Sequence, residues 1–223
     1  MTEQRDFWET VWSESSDDAS SNLGYGLIRD FDLETLTGKS VVDIGCGNFT
    51  YSRIPEIASR FIGVDISHTA LVDGKQYLGG GNLIQASAYV LPLALQSVDF
   101  AVSVEVLPLL GENYSDALRE MTRVSREGII FTVNHLEAIS QRSAKSEDLT
   151  YGKLFKGKML DVVALTEEDV EVVIGGLGLV LEELVVLTRD EVMNYGVPYH
   201  QQRVYSNGDL KEVMYVKAIH PKV

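Results

Sequence analysis

Cysteine is nearly absent from this chain of 223 residues, because Cys46 is the single one. A lone cysteine cannot close an internal disulfide, so the chain is not built for an oxidising compartment. Long apolar runs are also missing: the longest, residues 175–187, is interrupted by Glu182 and Glu183 and falls short of the roughly 20 residues that span a bilayer. Residues 1–18 have neither the basic start nor the apolar stretch of a signal peptide. These absences predict a cytoplasmic protein.

Positive charge is scarce as well. The chain has 19 lysines and arginines against 33 aspartates and glutamates, a formal net charge of -14. A surface this acidic repels phosphate backbones and anionic lipids, which argues against a nucleic-acid or membrane partner. With 45% hydrophobic residues the chain can still bury a core. We therefore expect one globular domain, or one domain with a small cap, that exists as a monomer or a homodimer.

Short β-branched runs alternate with helix-like stretches from residue 40 onward. Continuous apolar runs of this kind are typical of strands that are buried on both faces. Strand, helix, strand with short connections indicates right-handed crossovers and a parallel sheet with helices on both faces. The predicted strands are residues 41–44, 61–64, 82–85, 98–104 and 128–133, and the predicted helices lie near residues 51–59, 68–77 and 114–124.

The last third of the chain has a different pattern. Thr166 and the three acids after it predict a capped helix through about residue 174. Residues 179–188 and 210–219 predict two long strands that form a terminal antiparallel pair. Residues 137–161 are polar with scattered lysines and are predicted to lie outside the sheet. The fold class we expect is α/β, with a seven-stranded, mostly parallel sheet.

The chemistry-bearing residues follow the first two strands. The first strand ends in Asp43 and the turn Gly45-Cys46-Gly47, whose glycines let backbone approach a ligand closely. Asp65 ends the second strand, where a carboxylate can accept both hydroxyls of a ribose. Ligands of open parallel sheets bind at the carboxyl ends of the strands. The pattern predicts an adenosine-bearing cofactor across these two strands.

Two details bear on which cofactor this is. A dinucleotide fingerprint has a third glycine where this chain has Thr50, and it places a pyrophosphate over the turn. Asp43 would repel a pyrophosphate and would favour a cationic amino group. A nucleoside that carries an amino acid therefore fits better than a nicotinamide dinucleotide.

Several segments in order resemble the class I S-adenosylmethionine-dependent methyltransferases, in particular the small-molecule "type 11" group. The segments VVDIGCGNFT and FIGVDIS resemble the family's first motif and its ribose-binding segment. VLPL followed by QSVDF, then LRE and RVSREG, and finally the stretch from Thr166 to Gly178 are similar to later family segments. The resemblance covers about residues 40–219. It implies a Rossmann-like fold, S-adenosylmethionine as cofactor and S-adenosylhomocysteine as product, and a small-molecule acceptor.

The resemblance also implies the cofactor-binding residues. Gly45, Cys46 and Gly47 would lie along the methionine part, with Asp43 supporting its ammonium and Asp65 holding the ribose. The positions near the adenine and beyond the fourth strand complete the set: Ile66, Ser87, Ala88 and Glu105. Glu105 is equally well interpreted as a solvated carboxylate.

The chain departs from the family pattern at two places. Ser87 stands where an aspartate is common before the adenine-contacting position. The adenine amino group would then meet the Ser87 hydroxyl or a backbone carbonyl. The second departure is Arg126-Glu127-Gly128 in place of Lys-Pro-Gly-Gly, which we expect to alter only a turn.

Candidate catalytic and substrate-binding residues come from the segments at the carboxyl edge of the sheet. His135 and His200 are candidate general bases, because a neutral imidazole is the usual base near pH 7. For each of them a structural or surface histidine is the alternative. Trp12, Tyr25, Tyr195 and Tyr199 are candidate substrate contacts, with loop packing as the alternative. No metal-ligand spacing is present, and we expect no metal.

The predicted organisation is an amino-terminal arm or lid, residues 1–39, before a catalytic domain, residues 40–223. Residues 135–162 and 189–209 are predicted to be substrate-side loops. The favoured reaction is in-line methylation of an acceptor oxygen or nitrogen. Two alternatives stay open: a non-catalytic S-adenosylmethionine-binding partner subunit, and a nicotinamide-dependent oxidoreductase.

Overall fold

A computed structural model describes residues 2–14, 34–48, 54–75, 82–137, 150–155, 158–188 and 211–222. In chain order the elements are α1 (Thr2–Glu14), β1 (Ser40–Ile44), α2 (Ile54–Ile57), β2 (Arg60–Asp65), α3 (His68–Lys75), β3 (Asn82–Gln85), β4 (Val98–Ser103), a 3-10 helix (Leu107–Asn113), α4 (Tyr114–Val124), β5 (Ser125–His135), β6 (Thr150–Phe155), β7 (Lys158–Leu165), α5 (Glu167–Gly176), β8 (Val180–Thr188) and β9 (Lys211–Ile219). The chain forms two compact units. The first is Met1–Val104 with Asp116–Ile129, and the second is Glu105–Ser115 with Ile130–Val223.

The first unit contains a parallel sheet in the strand order β3-β2-β1-β4. Every residue of β1 is buried, as expected of an apolar strand with neighbours on both sides. The register pairs Ile44 with Val64, and Asp65 with Gln85. The carboxyl ends of β1, β2 and β3 are thereby aligned at one edge, where the loops after them meet.

The second unit is a mixed sheet. The end of β5 pairs in parallel with the end of β7, and β6 pairs antiparallel with β7. β8 pairs antiparallel with β9, and β9 also pairs with β5. The mostly parallel α/β class and the terminal antiparallel pair are confirmed.

The strand count differs from the expectation, because the described residues hold nine strands instead of seven. The two additional strands, β6 and β7, lie largely in the segment that was predicted to stay outside the sheet. That prediction is wrong: β7 joins the sheet through Asn134↔Ala164 and His135↔Leu165. The apolar run Val162–Leu165 is buried and supplies the core-facing part of β7, although the polar residues before it obscure the pattern.

Two helices form as the sequence patterning requires. α4 buries Ala117, Leu118, Met121 and Val124, which share one helical face. α5 begins at a capping box in which the Thr166 hydroxyl accepts the Asp169 N–H and the Asp169 carboxylate accepts the Thr166 N–H. Among the described helices, none is long and apolar enough to cross a bilayer.

A polar network joins the amino-terminal ends of β1, β4 and β5. The Asp99 carboxylate accepts the backbone N–H and the hydroxyl of Ser40, at 2.7 and 2.6 Å, and the Arg126 guanidinium at 2.7 Å. Glu127 pairs with Lys39 at 2.7 Å. Arg126 and Glu127 therefore lie within strand β5 and tie it to its surroundings. The expectation that this departure from the family pattern alters only a turn is wrong.

The network controls the ionisation of Asp99. Desolvation raises the pKa of this carboxyl, but the hydrogen bonds from Ser40 and the charge of Arg126 outweigh it and lower the pKa from 3.8 to about 2. A carboxyl whose pKa is lowered on folding stabilises the fold above its unfolded pKa, and the stabilisation is lost as the pH falls through the folded pKa.

We expect Asp99→Asn to lower the free energy of unfolding at pH 7 by about 1–3 kcal/mol, because several donors lose a charged acceptor. The difference from the unchanged protein should shrink as the pH falls from 3.8 towards 2, and urea unfolding at several pH values would measure it. The control is Asp116→Asn, which removes an ion pair with Arg119. Because this pair is exposed, its loss should change the free energy of unfolding very little. A loss that does not vary with pH would contradict the assignment.

Candidate cofactor site

The glycine turn after β1 is held against the end of β2. The N–H groups of Gly45 and Cys46 both donate to the Val64 carbonyl, at 2.7 and 3.1 Å. Gly45 and Gly47 have φ values of 71° and 55°, in the left-handed region that favours glycine. The two glycines are therefore needed for the turn itself, whatever ligand it contacts.

Asp65 joins this turn to the loop after β2. One carboxylate oxygen accepts the Gly47 N–H at 2.9 Å, and the other accepts the Ser67 N–H at 2.8 Å. Only 6% of the residue is exposed. Burial raises the pKa of Asp65, the negative charge of Glu9 raises it further, and the backbone N–H groups oppose the rise. The carboxylate that was predicted to hold a ribose is thus placed beside the glycine turn.

Two further predicted residues are buried beside Asp65. Asp43 is completely buried in β1. The pKa of the Cys46 thiol is raised well above its ordinary value, mainly by burial and further by the charges of Asp65 and Asp43. A thiol in this setting stays protonated, so Cys46 does not have the character of a nucleophile.

The loop after β3 lies next to the same edge. The Ala86 N–H donates to the Asp65 carbonyl at 2.9 Å, and the Gln85 side chain donates to the Ile66 carbonyl at 3.1 Å. Ser87, whose hydroxyl accepts the Tyr89 N–H at 3.3 Å, begins a turn in which Ala88 is half-buried. The residues predicted to lie along methionine, ribose and adenine therefore occupy three adjacent loops of the first unit.

Helix α1 packs on this edge through Trp12, which was predicted as a substrate contact, and through Glu9, for which no role was predicted. The Trp12 ring lies over Gly47, where a Cβ would meet ring carbons at 2.8 and 2.9 Å. The Glu9 carboxylate accepts the N–H groups of His68 and Thr69, at 2.7 and 3.0 Å. Sequence reasoning missed Glu9, because its partners are about 60 positions away and nothing in its own neighbourhood marks it.

Glu105 belongs to the second unit and has an unusual backbone. Its φ is 58°, in a region that non-glycine residues avoid, and its N–H donates to the Thr132 hydroxyl at 2.8 Å. Residues that are held in such conformations concentrate at functional sites, because only a supporting structure preserves them. The role predicted for Glu105 stays a prediction.

His135 lies in the second unit with both ring nitrogens engaged. Its Nε2 is 2.9 Å from a Glu167 carboxylate oxygen, and its Nδ1 accepts the Glu137 N–H at 3.1 Å. Since Nδ1 accepts, Nε2 carries the proton in the neutral ring and donates it to Glu167. This arrangement ties the end of β5 to the start of α5 and leaves no ring lone pair free to take a substrate proton.

The remaining candidates cannot be placed. His200, Tyr25, Tyr195 and Tyr199 lie outside the described residues, so the catalytic role of His200 and the substrate contacts of these tyrosines stay predictions. Within the described segments, no group of three histidine, cysteine, aspartate or glutamate side chains is arranged to hold a metal ion.

Comparison with known proteins identifies the kind of domain to which this edge belongs. Residues 42–133 match the family model described as "Methyltransferase domain" (Methyltransf_11). That stretch contains the glycine turn, Asp65 and the loop after β3. Residues 42–133 of this chain therefore carry a methyltransferase domain. The predicted family, enzyme class and cofactor are confirmed, and the nicotinamide alternative is set aside.

Several solved structures have the same fold as this chain. Magnesium protoporphyrin IX methyltransferase from Synechocystis PCC 6803, solved with bound S-adenosylhomocysteine, has a TM-score of 0.66 at 14% identity and covers 99% of both chains. A possible histamine N-methyltransferase from Thermotoga maritima has a TM-score of 0.61 at 17% identity, covering 99% of this chain and 96% of its own. A protein classed as a methyltransferase, in complex with the Haloferax volcanii Trm112 methyltransferase activator, has a TM-score of 0.63 at 14% identity, covering 99% and 97%. None of the curated proteins compared matches the sequence significantly.

The contact between α1 and the glycine turn of the methyltransferase can be tested with two glycine substitutions. Gly38→Ala places a side chain at a φ of 75° with no atom within 4 Å, so it should lower the free energy of unfolding by about 1 kcal/mol. Gly47→Ala adds a clash with Trp12 and should cost more. In urea unfolding, Trp12→Ala should remove that additional loss when combined with Gly47→Ala. Equal losses for the two alanines would contradict the packing of Trp12 on the turn.

Proposed function

We propose that this methyltransferase transfers the methyl group of S-adenosylmethionine to an oxygen or nitrogen of a small molecule. In this proposal Asp65 holds the ribose, the turn Gly45–Gly47 lies along the methionine part, Asp43 supports the ammonium, and the loop with Ser87 and Ala88 lies along the adenine. The observation that carries the proposal is the position of Asp65. This residue lies within the stretch that matches the family model, and its carboxylate is hydrogen-bonded to the glycine turn.

The residues present fit the cofactor. The Asp65 oxygens accept backbone N–H groups, and a carboxylate has about four acceptor sites, so acceptor capacity remains for ribose hydroxyls. The buried charge of Asp43 favours a cationic amino group nearby. Gly45 and Gly47 present backbone without side chains at the ligand edge.

When bound, S-adenosylmethionine supplies a methyl group on a positively charged sulfonium that an oxygen or nitrogen can displace in line. The residues of this chain contribute orientation and electrostatics. The glycine turn and Asp65 fix the position of the ligand, since proximity and alignment supply much of the rate of such a displacement. The carboxylates of Asp43 and Asp65 favour a cationic ligand over a neutral one.

A small-molecule acceptor is supported by two observations. The net charge of -14 disfavours a polyanionic acceptor such as RNA. Two structurally similar proteins are a magnesium protoporphyrin IX methyltransferase and a possible histamine N-methyltransferase, whose acceptors are small molecules. A cytoplasmic location and a monomeric or homodimeric state remain part of the proposal.

A second candidate function is a cofactor-binding subunit that supports a partner protein. Both ring nitrogens of His135 are engaged, which weakens one of the two candidate bases. A structurally similar protein is in complex with an activator protein. Release of S-adenosylhomocysteine by the isolated chain would separate the two, tested against panels of small amines and hydroxyl compounds, RNA and protein. Turnover confined to the small-molecule panel supports the proposal, and turnover confined to RNA or protein contradicts it.

The cofactor site itself is tested by Asp65→Asn. We expect it to weaken S-adenosylmethionine binding by more than about tenfold in calorimetry, because charge-assisted hydrogen bonds to the ribose are lost. The control is Asp73→Asn, which removes an exposed acid on α3 and should leave affinity unchanged. Circular dichroism confirms that both variants fold. Unchanged affinity in folded Asp65→Asn would contradict the placement of the ribose.

A further inference from the structure

Helix α1 contacts all three loops of the proposed cofactor site. Trp12 covers the glycine turn at Gly47. Glu9 contacts the loop after β2, and the Gln4 side chain hydrogen-bonds Tyr89 in the loop after β3. One helix of 13 residues therefore runs along the whole edge on which methionine, ribose and adenine are proposed to bind.

Glu9 makes the strongest of these contacts. Its carboxylate accepts the His68 N–H at 2.7 Å, the Thr69 N–H at 3.0 Å and the Ser67 hydroxyl at 3.0 Å. These donors lie at the amino end of α3, where backbone N–H groups have no partner within the helix and the helix dipole favours a negative charge. Glu9 therefore anchors α1 to α3 by charge as well as by hydrogen bonding.

The anchor keeps its charge under all ordinary conditions. Desolvation raises the pKa of Glu9, but the N–H groups of Thr69 and His68 and the neighbouring hydroxyls outweigh it and lower the pKa to about 2. Its charge also acts on Asp65, whose pKa it raises. The two negative charges repel each other, and a cationic ligand that donates hydroxyl groups relieves that repulsion. S-adenosylmethionine has both properties.

We propose that α1 is a wall of the cofactor site and that Glu9 is the positioning residue that keeps this wall docked, with Trp12 over the glycine turn. The proposal rests on the location of the cofactor given above. Loss of the anchor lets α1 move away from the edge, so that the site loses contacts and the cofactor leaves faster. S-adenosylmethionine binding should therefore weaken while the rest of the fold stays intact.

The experiment uses Glu9→Gln, with Glu3→Gln as the matched control. Glu3 is an exposed acid on the same helix, so its replacement makes the same change in charge without touching α3. The chain has two tryptophans, and a Trp8→Phe background leaves Trp12 as the single tryptophan reporter. Calorimetry gives the affinity for S-adenosylmethionine, and tryptophan emission reports whether Trp12 is packed or exposed.

In the Glu9→Gln variant we expect affinity to fall by about tenfold, as for the loss of one charge-assisted anchor, and Trp12 emission to shift to longer wavelength before cofactor is added. The Glu3→Gln variant should match the unchanged protein in both measurements. Tighter binding in Glu9→Gln would show that α1 obstructs the site and would overturn the proposal, as would unchanged affinity and emission. Asp65→Asn, measured in parallel, separates the two proposals. If Asp65→Asn binds S-adenosylmethionine normally, the proposed location of the cofactor is wrong. If Asp65→Asn binds it weakly but Glu9→Gln binds it normally, only the proposal that α1 is a wall of the site is rejected.

Discussion

The Asp65 carboxylate holds together two of the loops at the carboxyl edge of the sheet in the first unit. It bonds the backbone of the glycine turn with one oxygen and the backbone of the next loop with the other, from a position that is almost fully buried. A buried carboxylate is costly unless it is hydrogen-bonded, so both loops must stay where their N–H groups satisfy it. The position of the glycine turn relative to the loop after β2 follows from that requirement. The residue that is proposed to hold the ribose thus also has a structural role.

Predictability from the sequence depended on how local each signal is. Apolar runs such as those of β1 and β2 identify buried strands within five or six residues, and the capping box of α5 lies within four. The strand β7 was missed because it pairs with β5 at only two positions, and because Lys158 and Asp161 interrupt its apolar residues. Pairing partners that are distant in sequence determine such a strand, and no local pattern records them.

The same division applies to the site. Gly45, Gly47 and Asp65 were visible because each occupies a fixed place relative to the end of its own strand. The contacts of Glu9 with α3 and of His135 with Glu167 join residues 59 and 32 positions apart, and only the folded chain brings them together. The backbone turns at the strand ends were therefore predictable, whereas side-chain partnerships were not.

Glu105 carries a consequence for any attempt to improve this protein by selection. Its backbone occupies a left-handed conformation that costs a glutamate more than it costs glycine or asparagine. Random mutagenesis followed by a search for heat resistance should therefore enrich glycine or asparagine at this position. A selection of that kind, run without a catalytic readout, would remove the carboxylate that follows β4 and would yield a more stable chain with one acidic residue fewer.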